Sequence, residues 1–230
     1  MARQLAAHEV ADQPENWRVT SHQVLARGAV AEFVDDEVST PDGASMRRQY
    51  TVHPGAVGVV VLDDADRVAV IRQYRHPVAM SLVEPPAGLL DSPDEDFLTA
   101  AQRELAEEVG LAATDWRVLV DLFTSPGGSQ ESLRIYLARG ISEAPTPEGF
   151  VAEPEEAQME VAWAARSDLV AAILAGRVQN PTMVSGILAL EVARLGDGLD
   201  SLRPADAPWP ARDAWAAQNS LLAAVRGNAD

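Results

Sequence analysis

Apolar and polar residues alternate at every second position through several short stretches, the mark of half-buried strands. Between Trp17 and His53 this pattern predicts three strands, in WRVTSHQVLARG, GAVAEFVDDEV and, beyond a turn at Pro41-Asp42-Gly43, MRRQYTVH. VGVVVL (57–62) and RVAVIRQY (67–74) follow as strands, with Asp63-Asp64-Ala65-Asp66 expected to join them as a hairpin. The stretch EPPAGLLDSP (84–93) holds three prolines and a glycine and reads as an ordered loop. The period then changes to that of a helix. Ser92 is the expected cap, Pro93 the first helical residue and Glu95 the partner in a capping box, with the helix running to Val109 and stopping at Gly110. Strands return at WRVLVDLF (116–123), SLRIYLAR (132–139) and MEVAWAA (159–165). Ser167 is read as the cap of a helix ending at Gly176, and Asn180-Pro181 as the opening of another that reaches Leu195. A last amphipathic helix is expected over 211–226, with Trp215, Leu221, Leu222 and Val225 on its apolar face. The order of elements is mixed α/β, with helices packed on sheets.

Composition narrows the chemistry. The 230 residues contain no cysteine, which removes disulfides, thiolate metal sites and cysteine nucleophiles. All 18 basic residues are arginine, so Schiff-base chemistry and a phosphate-loop lysine are absent too. With 35 acidic residues the net charge is −17, which repels nucleic-acid backbones, and no nucleic-acid partner is expected. No apolar run approaches a membrane span and the first residues lack a signal-peptide pattern, so a cytoplasmic, soluble protein with no membrane partner is expected. The four histidines are scattered, with no metal or triad spacing. A phosphorylated substrate would need a cation to mediate its approach.

The helix ending at Gly110 carries the informative residues. Leu98, Ala101, Leu105 and Val109 share its core stripe, while Glu104, Glu107 and Glu108 converge on another arc. Crowded like charges beside a buried stripe either face open solvent or bind cations, and hard ions such as Mg²⁺ take carboxylate oxygen. Arg103, four residues before Glu107, is placed to pair with it, and the Ala87-Gly88 backbone could add a carbonyl ligand.

The run from Gly88 to Leu111 resembles the Nudix box, Gly-x5-Glu-x7-Arg-Glu-Φ-x-Glu-Glu-x-Gly-Φ, where Φ is apolar. Here it reads Gly88, Glu95, Arg103, Glu104, Leu105, Glu107, Glu108, Gly110 and Leu111. The one departure is a first gap of six residues, which leaves Asp94 where the glutamate usually stands. Glu95 keeps the seven-residue distance to Arg103, so the insertion falls within Leu89–Asp94. The resemblance implies a Nudix-type α/β/α sandwich with a small N-terminal β-sheet region. It also implies metal-dependent hydrolysis of a nucleoside diphosphate derivative, with Ala87, Glu104, Glu107 and Glu108 holding Mg²⁺, or Mn²⁺ in its place.

Three further segments resemble the ADP-ribose pyrophosphatase branch. They are Gln73-Tyr74-Arg75 with Glu84-Pro85-Pro86-Ala87-Gly88, then Pro126 in Ser125-Pro126-Gly127-Gly128, and the acidic loop Glu153–Met159. This likeness spans roughly 17–195 and implies cleavage of ADP-ribose to AMP and ribose 5-phosphate. Arg48 (or Arg47), Arg75, Glu84, Pro126 and Gly127 would contact substrate. Glu107 and either Glu155 or Glu156 would serve catalysis, the two loop glutamates being indistinguishable by sequence. Other Nudix substrates, a sugar nucleotide or a dinucleotide, and a non-cleaving ADP-ribose sensor are the alternatives. The expected organisation is a leader and strands for dimerisation and substrate over 1–53, the hydrolase domain over 54–195 and a tail over 196–230. In the resembled branch the first of these packs against a partner subunit, so a homodimer is expected.

Overall fold

The computed structural model describes residues 2–90, 92, 95–145 and 159–227, with side chains as far as 218. The chain divides into two compact units. One combines the segment up to Thr51 with the segment from Trp209 onward; the other is Val52–Pro208.

In the first unit, β1 (Arg18–Arg27), β2 (Glu32–Ser39) and β3 (Ser45–Val52) form a sheet in that order, matching the three expected strands. Helix α4 (Pro210–Gly227) packs on β1. Trp215 lies under the Arg212 guanidinium at 3.7 Å, whereas the side chains of Leu221, Leu222 and Val225 lie outside the described residues. Across the sheet, His22 Nδ1 meets Asp36 Oδ1 at 2.5 Å and the Tyr50 hydroxyl donates to Asp36 Oδ2 at 2.8 Å. This chain of partners is what permits a carboxylate to be buried there.

The second unit holds a five-stranded mixed sheet in the order β11-β8-β9-β4-β7. Its strands are β4 (Ala56–Val61), β7 (Ala87–Leu89), β8 (Leu111–Phe123), β9 (Ser132–Glu143) and β11 (Arg203–Pro204). Alternation divides the side chains of β4 and β9 between two cores. Val57, Val59, Val61, Tyr136 and Ala138 face α1 (Phe97–Val109), which buries Ala101 and Leu105 against them. Val60, Ile135 and Leu137 face Met183, Ile187 and Leu190 of α3 (Pro181–Leu195). The result is the expected α/β/α sandwich. Asn180 caps α3 by accepting from the Met183 N–H at 2.9 Å, as its sequence implied. Helix α3 crosses β4 closely enough that a Cβ on Gly58 would lie 2.4 Å from Thr182 Cγ2, and one on Gly186 2.7 Å from Val60 Cγ2.

A second, three-stranded sheet runs β10-β5-β6, from β5 (Arg67–Arg75), β6 (Met80–Glu84) and β10 (Glu160–Ala165). Helix α2 (Arg166–Leu174) follows β10 directly.

Several local expectations are corrected. β4 and β5 are joined by the anticipated tight turn, with Asp63 Oδ1 accepting from the Ala65 and Arg67 N–H groups, but they do not form a hairpin. They bridge only at Leu62–Val68, because both edges of β4 are already taken by β9 and β7. The proline-rich loop contains the short strand β7, whose pairing with β4 is antiparallel. Helix α1 starts later than expected: Asp96 is its cap, accepting from the Leu98 and Thr99 N–H groups at 3.0 Å. Ser92 and Glu95 therefore precede the helix, and Pro93 lies outside the described residues. Helix α2 is preceded by Ala165, and Ser167 sits inside its first turn without a capping role. Among the described residues no helix is long and apolar enough to cross a membrane.

Candidate functional site

The carboxylates of α1 are presented to the loop that enters β7. The helix is fixed at both ends, by Asp96 and by Gly110, whose left-handed φ of 65° lets its N–H reach the Ala106 carbonyl at 3.1 Å. Burial of Ala100, Ala101 and Leu105 fixes its rotation, and so aims the opposite arc. Glu104 lies flat against Gly88: a Cβ there would be 1.9 Å from Glu104 Cδ. The glycine is thus required by space rather than by backbone conformation. Glu108 Oε2 accepts the Ala87 N–H at 2.8 Å, and the Pro86 carbonyl accepts the Val59 N–H at 2.8 Å, tying this loop to β4.

Arg103 is the hub. Its Nε and Nη2 donate to the two oxygens of Glu95 at 3.0 and 3.1 Å, and Nη1 donates to Glu104 at 2.6 Å and Glu107 at 2.9 Å. These partners, Glu95 foremost, hold the guanidinium well above its usual range despite the opposing effect of burial. The side chains of Glu95, Glu104 and Glu107 are 15%, 13% and 16% exposed, which excludes a merely solvated acidic face. The expected Arg103–Glu107 pair is present. Glu95 has a different part from the capping box foreseen for it: it orients Arg103 from outside the helix. Its distance to Arg103 in the sequence is the signal that could have shown this.

The donor set suits a divalent cation chemically, since three carboxylates and the Ala87-Gly88 backbone offer only hard oxygen. Yet among the described residues no three acidic or histidine side chains converge as a ready metal cage. Glu104 and Glu107 are turned onto Arg103, and Glu108 onto Ala87.

The remaining candidates fall in three places. At the end of β5, Arg75 grips the buried Glu84 with Nε to Oε1 at 3.0 Å and Nη2 to Oε2 at 2.6 Å. Glu84 immediately precedes Pro85-Pro86, so this fork is continuous with the loop at Gly88. Pro126 and Gly127 lie in the exposed β8–β9 turn, where Gly128 and Ser129 N–H donate to the Ser125 carbonyl at 3.0 and 2.9 Å. Glu131, not anticipated from sequence, closes that turn by accepting from the Thr124 hydroxyl at 2.6 Å. Arg48 belongs to the first unit, on β3, where its Nη1 donates to the Arg47 carbonyl at 2.9 Å; Arg47 itself pairs with Asp35. Glu155 and Glu156 lie outside the described residues.

Helix α1 thus forms one outer layer of the α/β/α sandwich and sets its carboxylate arc against the glycine strand at the edge of the sheet. The NUDIX domain model matches residues 52–184, and the chain belongs to the Nudix family. The chain is 39% identical over 194 residues to the ADP-ribose pyrophosphatase of Mycobacterium tuberculosis, covering 84% of this chain and 91% of that protein. It is 33% identical over 136 residues to the methanol dehydrogenase activator of Bacillus methanolicus, covering 59% and 72%. Among solved structures, an ADP compounds hydrolase shares the fold with a TM-score of 0.65 at 22% identity, over 82% of this chain and 99% of that one.

Proposed function

We propose that the chain is a divalent-metal-dependent pyrophosphohydrolase that cleaves ADP-ribose to AMP and ribose 5-phosphate. The observation that carries the reading is the complete carboxylate arc of α1 seated on Gly88, together with the extent of likeness to an ADP-ribose pyrophosphatase.

Glu104, Glu107, Glu108 and the Ala87 carbonyl would hold the cation, Mg²⁺ or Mn²⁺. When bound, such an ion neutralises the diphosphate and lowers the pKa of water nearby. Arg103 keeps the carboxylates oriented through Glu95. Arg75, held in place by Glu84, binds diphosphate oxygen through its guanidinium, and Pro126 and Gly127 shape the wall of the substrate site. Glu155 or Glu156 would accept the proton of the attacking water. Arg48 is a further candidate for substrate contact. We place the enzyme in the cytoplasm as a homodimer. Exposed Leu25 and Phe33 on the N-terminal strands support association, as apolar area that a second copy would remove from water.

Incubation of the purified protein with ADP-ribose, in Mg²⁺ and in EDTA, tests the reading. Metal-dependent release of AMP, resolved by chromatography, supports it. Intact ADP-ribose alongside cleavage of a sugar nucleotide or dinucleotide would overturn the substrate, and binding without cleavage would make the protein a sensor. Light scattering on the eluting protein tests the dimer.

A further inference from the structure

The second unit has a concavity lined by none of the residues assigned to the proposed reaction. A cavity of about 640 Å³ lies against the β10-β5-β6 sheet, closed by α2 and the connection from α2 to α3. Antiparallel partners share a face and neighbours alternate. Ile71 pairs with Glu84 and Gln73 with Leu82, so Gln73, Arg75 and Glu84 look to one side of the sheet. Arg72, paired with Val83, looks to the other, into the cavity. Val70, Arg72 and Val83 thus line the cavity from the face opposite Arg75 and Glu84, and Met80, Ser81 and Leu82 add to its wall.

Its floor is apolar, with Val70, Val83 and Leu169 drawn from the core facing α3. Its rim carries Arg72, Arg177 and Asp168. Elsewhere in this unit, arginines 75, 103, 134, 139 and 166 are each matched at close range by carboxylates. The rim arginines are not. Arg72 has only Glu160, at 3.7 Å and largely in solvent, and Arg177 has no side-chain partner among the described residues. In a chain of net charge −17, Arg72 and Arg177 set two guanidinium groups on one concave wall, balanced locally by Glu160 and Asp168. Guanidinium forks match phosphate oxygens, while the Asp168 carboxylate accepts from hydroxyl groups.

We propose that this cavity binds a small phosphomonoester with a hydroxylated body, of the sugar-phosphate class, its phosphate held by Arg72 and Arg177 and a hydroxyl by Asp168. The proposal is independent of which diphosphate the opposite face cleaves.

Calorimetric titration of the full chain with glucose 6-phosphate in EDTA, with glucose as the neutral control, tests it. Saturable binding of the phosphate ester alone is expected, weakened at least about tenfold in Arg177→Ala and in Arg72→Ala and retained in Arg75→Ala. Arg177→Ala should leave hydrolysis of ADP-ribose unchanged, which confirms a folded chain. No saturable heat at millimolar ligand, or binding that survives Arg177→Ala, or binding abolished by Arg75→Ala, would overturn the site. Inactivity of the wild-type chain on ADP-ribose would count against the proposed reaction and leave this titration readable.

Discussion

Glu95 and Arg103, eight residues apart, meet in a two-pronged ion pair, Nε to Oε1 at 3.0 Å and Nη2 to Oε2 at 3.1 Å. One partner stands before α1 and the other about two turns inside it, so the pair staples the loop to the helix while the third nitrogen gathers Glu104 and Glu107. A lysine has no planar fork and can serve only part of this set. Arg103→Lys should keep the circular dichroism of the parent and lower kcat/KM by about tenfold to a hundredfold, measured in steady state. Unchanged kinetics would refute the positioning role.

Glu108 faces the loop through the Ala87 N–H, and its other oxygen is required by the proposed metal set. Glu108→Gln can still accept that N–H, so the fold should survive. Turnover should fall at least about a hundredfold, the scale for losing a metal or acid–base group. Near-normal metal-dependent turnover would sink the assignment.

Gly88 is in contact with the carboxylate it serves. A methyl group at this position collides with Glu104 Cδ at 1.9 Å, and the neighbour is held in turn by Arg103. Gly88→Ala is expected to cost about 1–3 kcal/mol of stability, as overpacking does, and to depress activity further than stability. Thermal melts read beside initial rates separate the two effects. An active, equally stable alanine variant would contradict the close approach.

Asp96 supports α1 from its end. The Thr99 hydroxyl first, and then the Thr99 and Leu98 N–H groups, hold its carboxyl below the ordinary aspartate range. A group whose folded pKa is depressed stabilises the fold above its unfolded pKa, and that contribution is lost as pH falls through the folded value. Asp96→Ala should therefore cost about 1 kcal/mol near neutral pH, and the gap to the parent should close in acid below that range. Urea midpoints across pH give the curve, and a constant gap would argue against an ionised cap.

The strands were legible because alternation is imposed by burial on one face: β1 and β3 to β5 fall within a residue or two of their expected places, while β2 begins four residues later than its expected stretch. Their partners were less so. VGVVVL and RVAVIRQY look like a hairpin until β9 and β7 occupy both edges of β4, a long-range competition that no local pattern records. Strand β7 was hidden for a related reason: its ladder is lent by β4, while its own residues, Ala87-Gly88-Leu89, have little strand preference. At the site, the arc of Glu104, Glu107 and Glu108 followed from helical period. The hub role of Glu95 did not, since it depends on where the cap falls, and the helix is capped by Asp96 instead of the expected Ser92.

The placement of β7 at the sheet margin has a consequence for how the molecule breathes. An edge strand of three residues, paired on one side only, is the first part of a sheet to open. Here that strand is also the floor beneath Glu104, and the loop entering it receives Glu108. Fraying of the margin and loosening of the carboxylates are therefore a single event. The Leu90 amide, bonded to the Gly55 carbonyl at 3.0 Å, and the Val59 amide, bonded to the Pro86 carbonyl at 2.8 Å, are the protons whose exchange with solvent would time it.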